Sequence, residues 1–236
     1  MFNIKAKNLC KTYSGKCALN QCSFEVEEGN LIGVLGANGA GKSTLIKILA
    51  GVLEPDQGDA LLNGCSITKN RRAAQAQTGY LPEAPVGFDS LTVYEFLSFA
   101  ACAHGIFGQK MDDAVSRVCS ELSMDNIKFQ RLSNLSKGWR QRAWLGQSLV
   151  HNPSLLFLDE PTDGFDPIQK IAMREHIKLI AKNRIILMST HILEEAEAMC
   201  DRIIIMRDGY IVKEGETSSF LDKFGRLEHS MKAFAI

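Results

Sequence analysis

A glycine-rich stretch, GANGAGKST at residues 36–44, has the residue types and spacing needed to hold a phosphate group. It matches the pattern GxxxxGK[ST], in which glycines let backbone N–H groups turn inward around an anion, and a helix that begins within the stretch adds its positive dipole end. Lys42 can then reach the β- and γ-phosphates of a nucleotide, and the Ser43 hydroxyl can bind Mg²⁺. The candidate phosphate-binding residues are Gly36, Ala37, Asn38, Gly39, Ala40, Gly41, Lys42, Ser43 and Thr44.

The alternative for this stretch is an ordinary turn between a strand and a helix that happens to contain glycines. All the required positions match, and the stretch lies between an apolar run, LIGVL at residues 31–35, and a helical pattern that reaches about Ala50. The motif must lie in this context. We therefore predict a phosphate-binding loop.

An apolar run that ends in two acidic residues, LLFLDE, supplies the complementary chemistry. If LLFLD is a buried strand, Asp159 lies at the carboxyl edge of the sheet beside the phosphate loop, where it can hold Mg²⁺ directly or through water. Glu160 points differently and can accept a proton from an attacking water. The alternative is a strand that ends in a solvated acidic turn, but the neighbouring phosphate loop favours the chemical interpretation.

A third stretch, NLSKGWRQR at residues 134–142, is polar and basic but has Gly138 and Trp139 in its middle. A helical pattern follows it, so Ser136 can present its hydroxyl and Gly138 its N–H group at a helix N-terminus, where anions bind. The alternative is a basic helix on a solvated face.

The elements that must position these residues alternate between strands and helices. After the LLFLD strand, the sequence predicts a helix that begins at Asp166-Pro167, with Asp166 as the N-cap and Gln169 closing a capping box. A strand at RIILMS, a helix at ILEEAEAMC and a hairpin turned at Asp208-Gly209 follow. Such alternation predicts a mostly parallel sheet that helices cover on both faces.

Two further regions flank this predicted core. The first thirty residues alternate between apolar and polar side chains, which predicts antiparallel strands, and DALLNG and TGYLPE predict two more short strands. From Leu91 to about Val150 apolar residues recur at three- and four-residue steps, which predicts a helical region with an amphipathic helix over 91–107. The predicted fold class is α/β, with an N-terminal antiparallel β subdomain and an inserted α-helical subdomain.

The composition argues against several classes of protein. Hydrophobic residues make up 45% and charged residues 23% of the 236 residues, as in a globular protein, and the zero formal net charge points neither to nucleic acid nor to disorder. The seven cysteines are scattered and never spaced as CxxC, which argues against a disulfide framework or a zinc site and fits a reducing cytosol. The first residues lack the apolar segment of a secretory signal, and the longest aliphatic runs are of strand length, so we expect no membrane crossing.

In this order, the motifs resemble those of the ATP-binding subunits of ABC transporters. The resemblance spans nearly the whole chain, and LSKGWRQR occupies the place of the family signature, usually written LSGGQ. The LSKGxRQR form and the glutamate in GYLPE look similar to ATPases that drive bacterial type-2 ABC exporters. The resemblance implies a single ABC ATPase domain over 1–236, with a P-loop NTPase core at 31–57 and 151–216, an antiparallel β subdomain at 1–30 and 58–66, a helical subdomain at 84–150 and a C-terminal tail at 217–236.

The resemblance also implies roles for individual residues. In the family two subunits pair head to tail, and each signature caps the γ-phosphate that the partner's loop holds, a role that would fall here to Ser136 and Gly138. Tyr13 would stack on adenine, and Asp166 in TDGFDP would belong to the loop that crosses the dimer interface. His191 resembles the switch histidine that contacts the γ-phosphate.

Three positions depart from the family pattern. Lys137 replaces a glycine and Trp139 a glutamine in the signature, and Glu83 in GYLPE stands where the family usually has glutamine. The family residue touches Mg²⁺ or the attacking water and relays the nucleotide state to the membrane subunit. Because a carboxylate is a better Mg²⁺ ligand than an amide, we expect Glu83 to act as a sensor and to join Ser43 and Asp159 as a metal ligand.

The expected function is that of an ATPase that energises transport, in the export direction, through a separate membrane permease. ATP and Mg²⁺ are the expected cofactors. Water activated by Glu160 attacks the γ-phosphate, and Lys42, Ser136 and His191 stabilise the developing charge. The expected partners are a second ATPase subunit in a head-to-tail pair, identical or different, and an integral membrane permease, with no nucleic acid. The protein would be cytoplasmic and peripheral on the inner face of the cell membrane, with a permease-docking groove on the helices of 91–122.

Other functions remain as alternatives. A soluble ABC ATPase that acts on ribosomes or nucleic acid usually has two cassettes in one chain or a long inserted coiled coil, and the sequence shows neither of these nor a basic excess. A P-loop GTPase would carry an Asn-Lys-x-Asp base-reading motif, which the sequence lacks. A non-enzymatic binding module would not need Lys42, Asp159 and Glu160 together. In this family the membrane subunit chooses the cargo.

Overall fold

The computed structural model describes residues 2–27 and 31–227, and this part of the chain forms two sheets with helices packed around them. Residues 1, 28–30 and 228–236, which include the end of the predicted C-terminal tail, lie outside the described residues. The strands are β1 Asn3–Tyr13, β2 Lys16–Glu27, β3 Leu31–Leu35, β4 Gln57–Leu62, β5 Cys65–Ser66, β6 Thr78–Leu81, β7 Leu155–Asp159, β8 Ile185–Thr190, β9 Arg202–Arg207 and β10 Tyr210–Glu216. The α-helices are α1 Lys42–Leu49, α2 Arg71–Gln75, α3 Val93–Ala103, α4 Gln109–Glu121, α5 Lys137–Leu149, α6 Pro167–Ala181 and α7 Leu193–Met199.

The smaller sheet is antiparallel and has the strand order β2-β1-β4-β5. Its long hairpin β1–β2 turns at Ser14 and Gly15, which both have positive φ, and its register pairs Ile4 with Val26 and Ala6 with Phe24. These four apolar side chains are buried, because alternate residues of a strand share one face. The N-terminal alternation in the sequence therefore predicted this sheet correctly.

The larger sheet has the order β10-β9-β3-β8-β7-β6 and is parallel except for β10, which pairs with β9 through a hairpin. The hairpin turns at Asp208 and Gly209, with φ values of 50° and 82°, as expected for an Asp-Gly turn. The predicted α/β class with a mostly parallel sheet is confirmed.

Alternation along the parallel strands divides the interior into two hydrophobic cores. In β7, Leu155 and Phe157 face one core, together with α1 and the antiparallel sheet, whereas Leu156 and Leu158 face the other core, together with helices α3 to α7. All four side chains are completely buried. Both faces of the sheet are therefore covered, which is why its strands are continuous apolar runs in the sequence.

The helical region between β6 and β7 comprises three main helices rather than the continuous pattern of the sequence. A capping box between Thr92 and Glu95 starts α3, and α3 ends at Ala103, before two glycines with positive φ, Gly105 and Gly108. The helix predicted over 91–107 was therefore too long at its C-terminal end. Helices α3, α4 and α5 pack on one another and bring α5 against β6.

The strand order decides which loops meet. Because β8 lies between β3 and β7, the carboxyl ends of these three strands are neighbours, and the register pairs Leu35 with Thr190 and Asp159 with Ser189. The phosphate loop follows β3, the acidic pair ends β7, and His191 follows β8. Three separate sequence motifs thus lie at one edge of the sheet, where ligands of open α/β sheets bind.

Candidate nucleotide-binding and catalytic site

The loop 36–41 connects β3 to α1 by a tight path that requires glycine at its ends. A Cβ atom on Gly36 would lie 2.4 Å from the carbonyl oxygen of Met206, and one on Gly41 would lie 2.4 Å from that of Ala18. Gly41 also has a φ of 104°, in the region that side chains disfavour. The backbone therefore lies close against β2 and β9, and α1 begins directly at Lys42 with its N-terminus at the loop.

Lys42 lies inside this loop rather than in solvent. Its side chain is 5% exposed, and Nζ donates hydrogen bonds to the carbonyl oxygens of Gly36, at 2.8 Å, and Ala37, at 3.3 Å. Nζ also lies 3.4 Å from Oε1 of Glu160. The ammonium group is thus held between the phosphate loop and the acidic end of β7, where it can contact a terminal phosphate.

Asp159 is fully buried at the end of β7, and hydrogen bonds fix one side of its carboxylate. Oδ1 accepts hydrogen bonds from Ser43 Oγ, at 2.9 Å, and from Ser189 Oγ, at 2.6 Å. Oδ2 is buried and has no hydrogen-bond partner among residues 2–27 and 31–227. A buried carboxylate oxygen is costly without a partner, and a second oxygen ligand, Ser43 Oγ, lies beside it. These oxygen donors fit Mg²⁺.

The pKa of Tyr80, on the adjacent strand β6, shows that two carboxylates lie near this edge of the sheet. Burial raises the pKa of its phenol, and the nearby charges of Asp159 and Glu83 raise this pKa further. Glu83 follows β6 by two residues, so the third predicted metal ligand approaches the same side of the site.

Glu160 and His191 form a direct pair beside Lys42. Nδ1 of His191 lies 2.5 Å from Oε2 of Glu160, while Oε1 of Glu160 faces Lys42. Glu160 has a φ of 46°, a left-handed conformation that is uncommon for a non-glycine residue, and its N–H group donates to Ser189 Oγ at 2.9 Å. The turn after Asp159 therefore points the two adjacent carboxylates in different directions, as the sequence analysis predicted.

One open cavity of about 600 Å³ contains most of the predicted site residues, a volume typical of small-molecule sites. It is lined by Tyr13, Lys16, Cys17, Ala18, Asn38, Gly39, Gly41, Lys42, Ser43, Thr44, Glu83, Glu160, Asp163 and His191. Tyr13, which is 45% exposed, and the pair Glu160–His191 line this cavity together with the phosphate loop. Gly36, Ala37 and Ala40 belong to the same loop, and Asp159 lies beneath it.

The signature residues lie apart from that cavity. Ser136 is the exposed N-cap of α5 and accepts a hydrogen bond from the N–H group of Trp139, while Gly138 is buried against the side chain of Gln169. Lys137 lies against Gly164, where a Cβ atom would be 2.1 Å from its Nζ. The structure thus brings the signature against the TDGFDP loop and α6 of the same chain.

Asp166 also lies outside the cavity and caps α6. Its carboxylate accepts a hydrogen bond from the N–H group of Gln169 at 2.9 Å, as predicted, and Pro167 occupies the first turn. The second half of the predicted capping box is not formed, because the Gln169 side chain lies against Gly138. A capping box that the sequence analysis missed forms at Thr92 and Glu95 instead.

Several residues at the site were not predicted. Asp163 lies close to the acidic pair, with one ligand atom each of Glu160, Asp163 and His191 within 4.8 Å of one another. Ser189 bonds both Asp159 and the backbone of Glu160. Ser189 lies near the end of β8 and pairs in register with Asp159, so its role becomes visible only once the strand order is known.

The fold and the site together define a nucleotide-binding P-loop ATPase. The family model for ABC transporters matches residues 19–163, which is more than half of the chain. The chain belongs to the ABC transporter family, in which it is an ATP-binding subunit with ATPase activity.

Two bacterial relatives and a solved structure support this assignment. The chain is 33% identical over 213 residues to the ABC transporter ATP-binding protein YxlF of Bacillus subtilis (strain 168), covering 90% of this chain and 70% of that protein. It is 32% identical over 223 residues to the ABC-type transporter ATP-binding protein EcsA of the same organism, covering 94% and 90%. A solved structure of an ATP-binding subunit of an ABC transporter superposes with a TM-score of 0.85 at 29% identity and covers 99% of both chains.

None of the helices within residues 2–27 and 31–227 has both the length and the apolar character needed to cross a membrane.

Proposed function

We propose that this chain binds Mg-ATP in the 600 Å³ cavity, hydrolyses it in a pair with a second ATPase subunit, and so energises export through a separate membrane permease. The observation that carries the proposal is the arrangement at the ends of β3, β7 and β8. A buried lysine, a buried carboxylate with a free oxygen, and a glutamate–histidine pair converge there. This is the set of groups that phosphoryl transfer to water requires.

Nucleotide binding follows from the loop and its surroundings. The phosphate loop and the N-terminus of α1 line the cavity, where their free backbone N–H groups would bind the phosphates and Lys42 would contact the β- and γ-phosphates. Tyr13 lines the cavity and is 45% exposed, so its ring is available to stack on adenine. Ser43, Asp159 and Glu83 would hold Mg²⁺, which when bound neutralises charge on the phosphate oxygens.

Hydrolysis needs a group that takes a proton from water beside the terminal phosphate. Glu160 is that base, because its carboxylate faces the cavity between Lys42 and His191. The hydrogen bond to His191 fixes the orientation of the carboxylate, and Lys42 stabilises the negative charge that develops on the phosphate. His191, which is 40% exposed, is also available to the γ-phosphate.

The signature acts on the nucleotide of a second subunit. Ser136 is exposed at the N-terminus of α5, a helix of thirteen residues, and the signature does not line the chain's own cavity. A head-to-tail pair would place Ser136 and Gly138 over the γ-phosphate held by the partner's loop, where a helix N-terminus stabilises negative charge. Asp166 and the TDGFDP loop would lie at the interface of that pair.

The permease docks on an aromatic groove of the helical region. Phe88, Phe96 and Trp144 form a cluster with ring centroids 4.9 to 6.0 Å apart, and Phe99 packs on Phe88 while remaining 55% exposed. These rings line a cleft of about 170 Å³. Phe88 is five residues beyond Glu83, so one short segment connects the nucleotide cavity to the groove. An apolar helix end from a permease fits this groove and would hold the ATPase at the inner face of the membrane.

The direct test is co-purification with the variant Glu160→Gln, which we expect to bind ATP without hydrolysing it. The tagged variant is expressed in the native cell, membranes are solubilised gently with Mg-ATP, and co-purifying proteins are identified by mass spectrometry. A polytopic membrane protein in stoichiometric amount is the expected result.

Two second-site changes sharpen this test. Phe99→Glu, added to Glu160→Gln, places a charge in the groove and should abolish recovery of the membrane protein. Phe107→Glu is the control, since Phe107 is 64% exposed but does not line the groove. With this change the membrane protein should still be recovered. Recovery of ribosomes or nucleic acid from the soluble fraction, with no membrane protein, would overturn the transport proposal but leave the ATPase intact.

A further inference from the structure

Glu195 is a buried carboxylate behind the catalytic pair, and the mechanism described above does not use it. It lies on α7 and is 1% exposed. An ionised carboxylate is rarely buried to this extent unless hydrogen bonds and opposite charges compensate for the loss of water. The partners of Glu195 therefore indicate its role.

Two hydroxyl groups bind the two oxygens of this carboxylate. Thr162 Oγ1 donates to Oε1 at 2.5 Å, and Thr190 Oγ1 donates to Oε2 at 2.9 Å. Thr190 Oγ1 in turn accepts a hydrogen bond from the N–H group of Ile192 at 3.1 Å. Both threonines are buried, so these bonds are shielded from water.

The two threonines belong to the segments that carry the catalytic pair. Thr162 follows Glu160 by two residues, and Thr190 directly precedes His191. One carboxylate thus connects the turn after β7 to the turn after β8, with one oxygen for each segment. Glu195 does not line the nucleotide cavity, and its side chain makes no hydrogen bond or ion pair with Glu160 or His191.

Two cations complete the surroundings of Glu195. Arg174 Nη2 lies 3.5 Å and Lys170 Nζ 3.8 Å from Oε1, and both residues are on α6. The N-cap of the same helix is Asp166, in the loop that we assign to the subunit interface. Glu195 therefore connects three segments in addition to its own helix.

We propose that Glu195 is a positioning residue that holds Glu160 and His191 at the separation needed for hydrolysis, an inference that rests on the proposed roles of these two residues. Catalytic groups must be held within a fraction of an ångström, and displacement by about 1 Å can cost two orders of magnitude in rate. Glu160 occupies a left-handed backbone conformation, so the turn that follows it needs such an anchor.

The test compares Glu195→Gln with the wild type in the full-length ATPase under steady-state conditions. Glutamine keeps the shape but removes the charge and replaces one acceptor oxygen by an NH₂ donor, so one threonine hydroxyl can no longer donate to this side chain. We expect kcat, expressed per ATP-binding site, to fall about 10- to 100-fold, with KM and the Kd for ATP changed less than about threefold. Glu194→Gln, on the exposed neighbouring residue, is the matched control and should retain wild-type kcat.

A second pair of variants addresses the same hydrogen bond without changing the buried charge. Thr162→Val removes the donor to Oε1, whereas Thr162→Ser keeps it. A positioning role predicts a low kcat for the valine variant and recovery of most of it by the serine variant. In the double variant Thr162→Val/Glu195→Gln, kcat should fall by less than the product of the two separate decreases, because both changes act on the same hydrogen-bond network around the Glu195 side chain. If Glu195→Gln does not fold, the comparison of Thr162→Val with Thr162→Ser tests the positioning role by itself.

The outcomes separate this inference from the proposed function. If Glu160→Gln and His191→Ala eliminate turnover but Glu195→Gln and Thr162→Val retain wild-type kcat per site, the positioning role is overturned and the proposed function stands. A lower melting temperature with unchanged kcat per folded site also overturns it, because Glu195 would then contribute to stability alone. If Glu160→Gln itself retains wild-type turnover, the proposed catalytic roles fail, whatever Glu195 does.

Discussion

At the scale of single residues, the site contains two carboxylates, Asp159 and Glu160, whose two oxygens have different surroundings. Oδ1 of Asp159 is fixed by Ser43 and Ser189, whereas Oδ2 is buried without a protein partner in the described part of the chain. Glu160 likewise divides its two oxygens between Lys42 and His191. Because its two oxygens have different surroundings, each carboxylate is held in one orientation.

The free oxygen of Asp159 leads to a prediction about Mg²⁺. In Asp159→Asn the amide keeps an acceptor for the two serines but loses the negative charge. We expect Mg²⁺ to tighten ATP binding by about tenfold or more in the wild type and much less in the variant, because a carboxylate is the stronger Mg²⁺ ligand. Isothermal titration of ATP with Mg²⁺ or with EDTA measures this. The same Mg²⁺ dependence in both proteins would contradict the metal assignment.

The residue scale also shows what the sequence could and could not predict. Lys42, Ser43, Asp159 and Glu160 follow from local motifs, because the chemistry of each depends on a strand end and the turn beside it. Ser189 and Glu195 do not, because their partners are distant in sequence and depend on the strand order. Glu195 is nevertheless the one glutamate of α7 that lies on the buried face, beside Ala196 and Met199, and a carboxylate in such a position indicates a specific partner.

At the scale of elements, the strands were predicted better than the helices. The parallel strands have continuous apolar centres and are bounded by polar or turn residues, so their limits are visible in the sequence. The helical region was predicted as one pattern over Leu91 to about Val150, whereas glycines with positive φ and irregular segments divide it. The Gln169 capping box failed because a tertiary contact with Gly138 competes with the local hydrogen bond.

A stacked histidine pair attaches the helical region to the sheet. His104, at the end of α3, and His151, after α5, have ring centroids 3.6 Å apart at an interplanar angle of 4°, and His151 Nε2 contacts the carbonyl oxygen of Thr78 in β6. Burial, and next the neighbouring His104, lower the pKa of His151 to about 4. The hydrogen bond to Thr78 partly offsets this decrease, and the nearby Arg117 contributes to it.

This pair predicts a loss of stability in mild acid. The unfolded chain binds a proton at His151 near pH 6.5, whereas the folded chain does not until about pH 4. The stabilising contribution is therefore complete above pH 6.5 and decreases as the pH falls towards 4, by about 2 kcal/mol at pH 5. Urea unfolding at pH 7 and pH 5 measures it. In His151→Gln the difference between the two pH values should be smaller by a similar amount, and an unchanged difference would refute the prediction.

At the scale of the whole molecule, the signature and the phosphate loop occupy different regions of one chain. The signature lies at the start of α5, outside the cavity that the loop lines. Two copies related by a twofold axis can complete two sites, each with a loop from one chain and a signature from the other. The sequence predicted this only through the resemblance to a family, since one chain's motifs cannot show an intermolecular site.

Sites that two subunits share lead to a quantitative prediction for mixed pairs, in which each subunit carries a different substitution. Lys42→Ala removes the loop lysine, and Ser136→Arg blocks the signature, so each variant alone should be nearly inactive. In a mixed pair one site has both intact components. With random pairing and independent sites, an equal mixture should regain about a quarter of wild-type ATPase activity per chain. No recovery, in a mixture shown by native mass spectrometry to contain mixed pairs, would contradict the shared site.

The central claim is that Glu160 is the base for ATP hydrolysis in a site that binds ATP without it. The most direct measurement is the steady-state ATPase rate of Glu160→Gln together with its Kd for Mg-ATP, both compared with the wild type. We predict a kcat lower by about 10² to 10⁴, the range for loss of a general base, with the Kd nearly unchanged. A wild-type kcat in this variant would contradict the account.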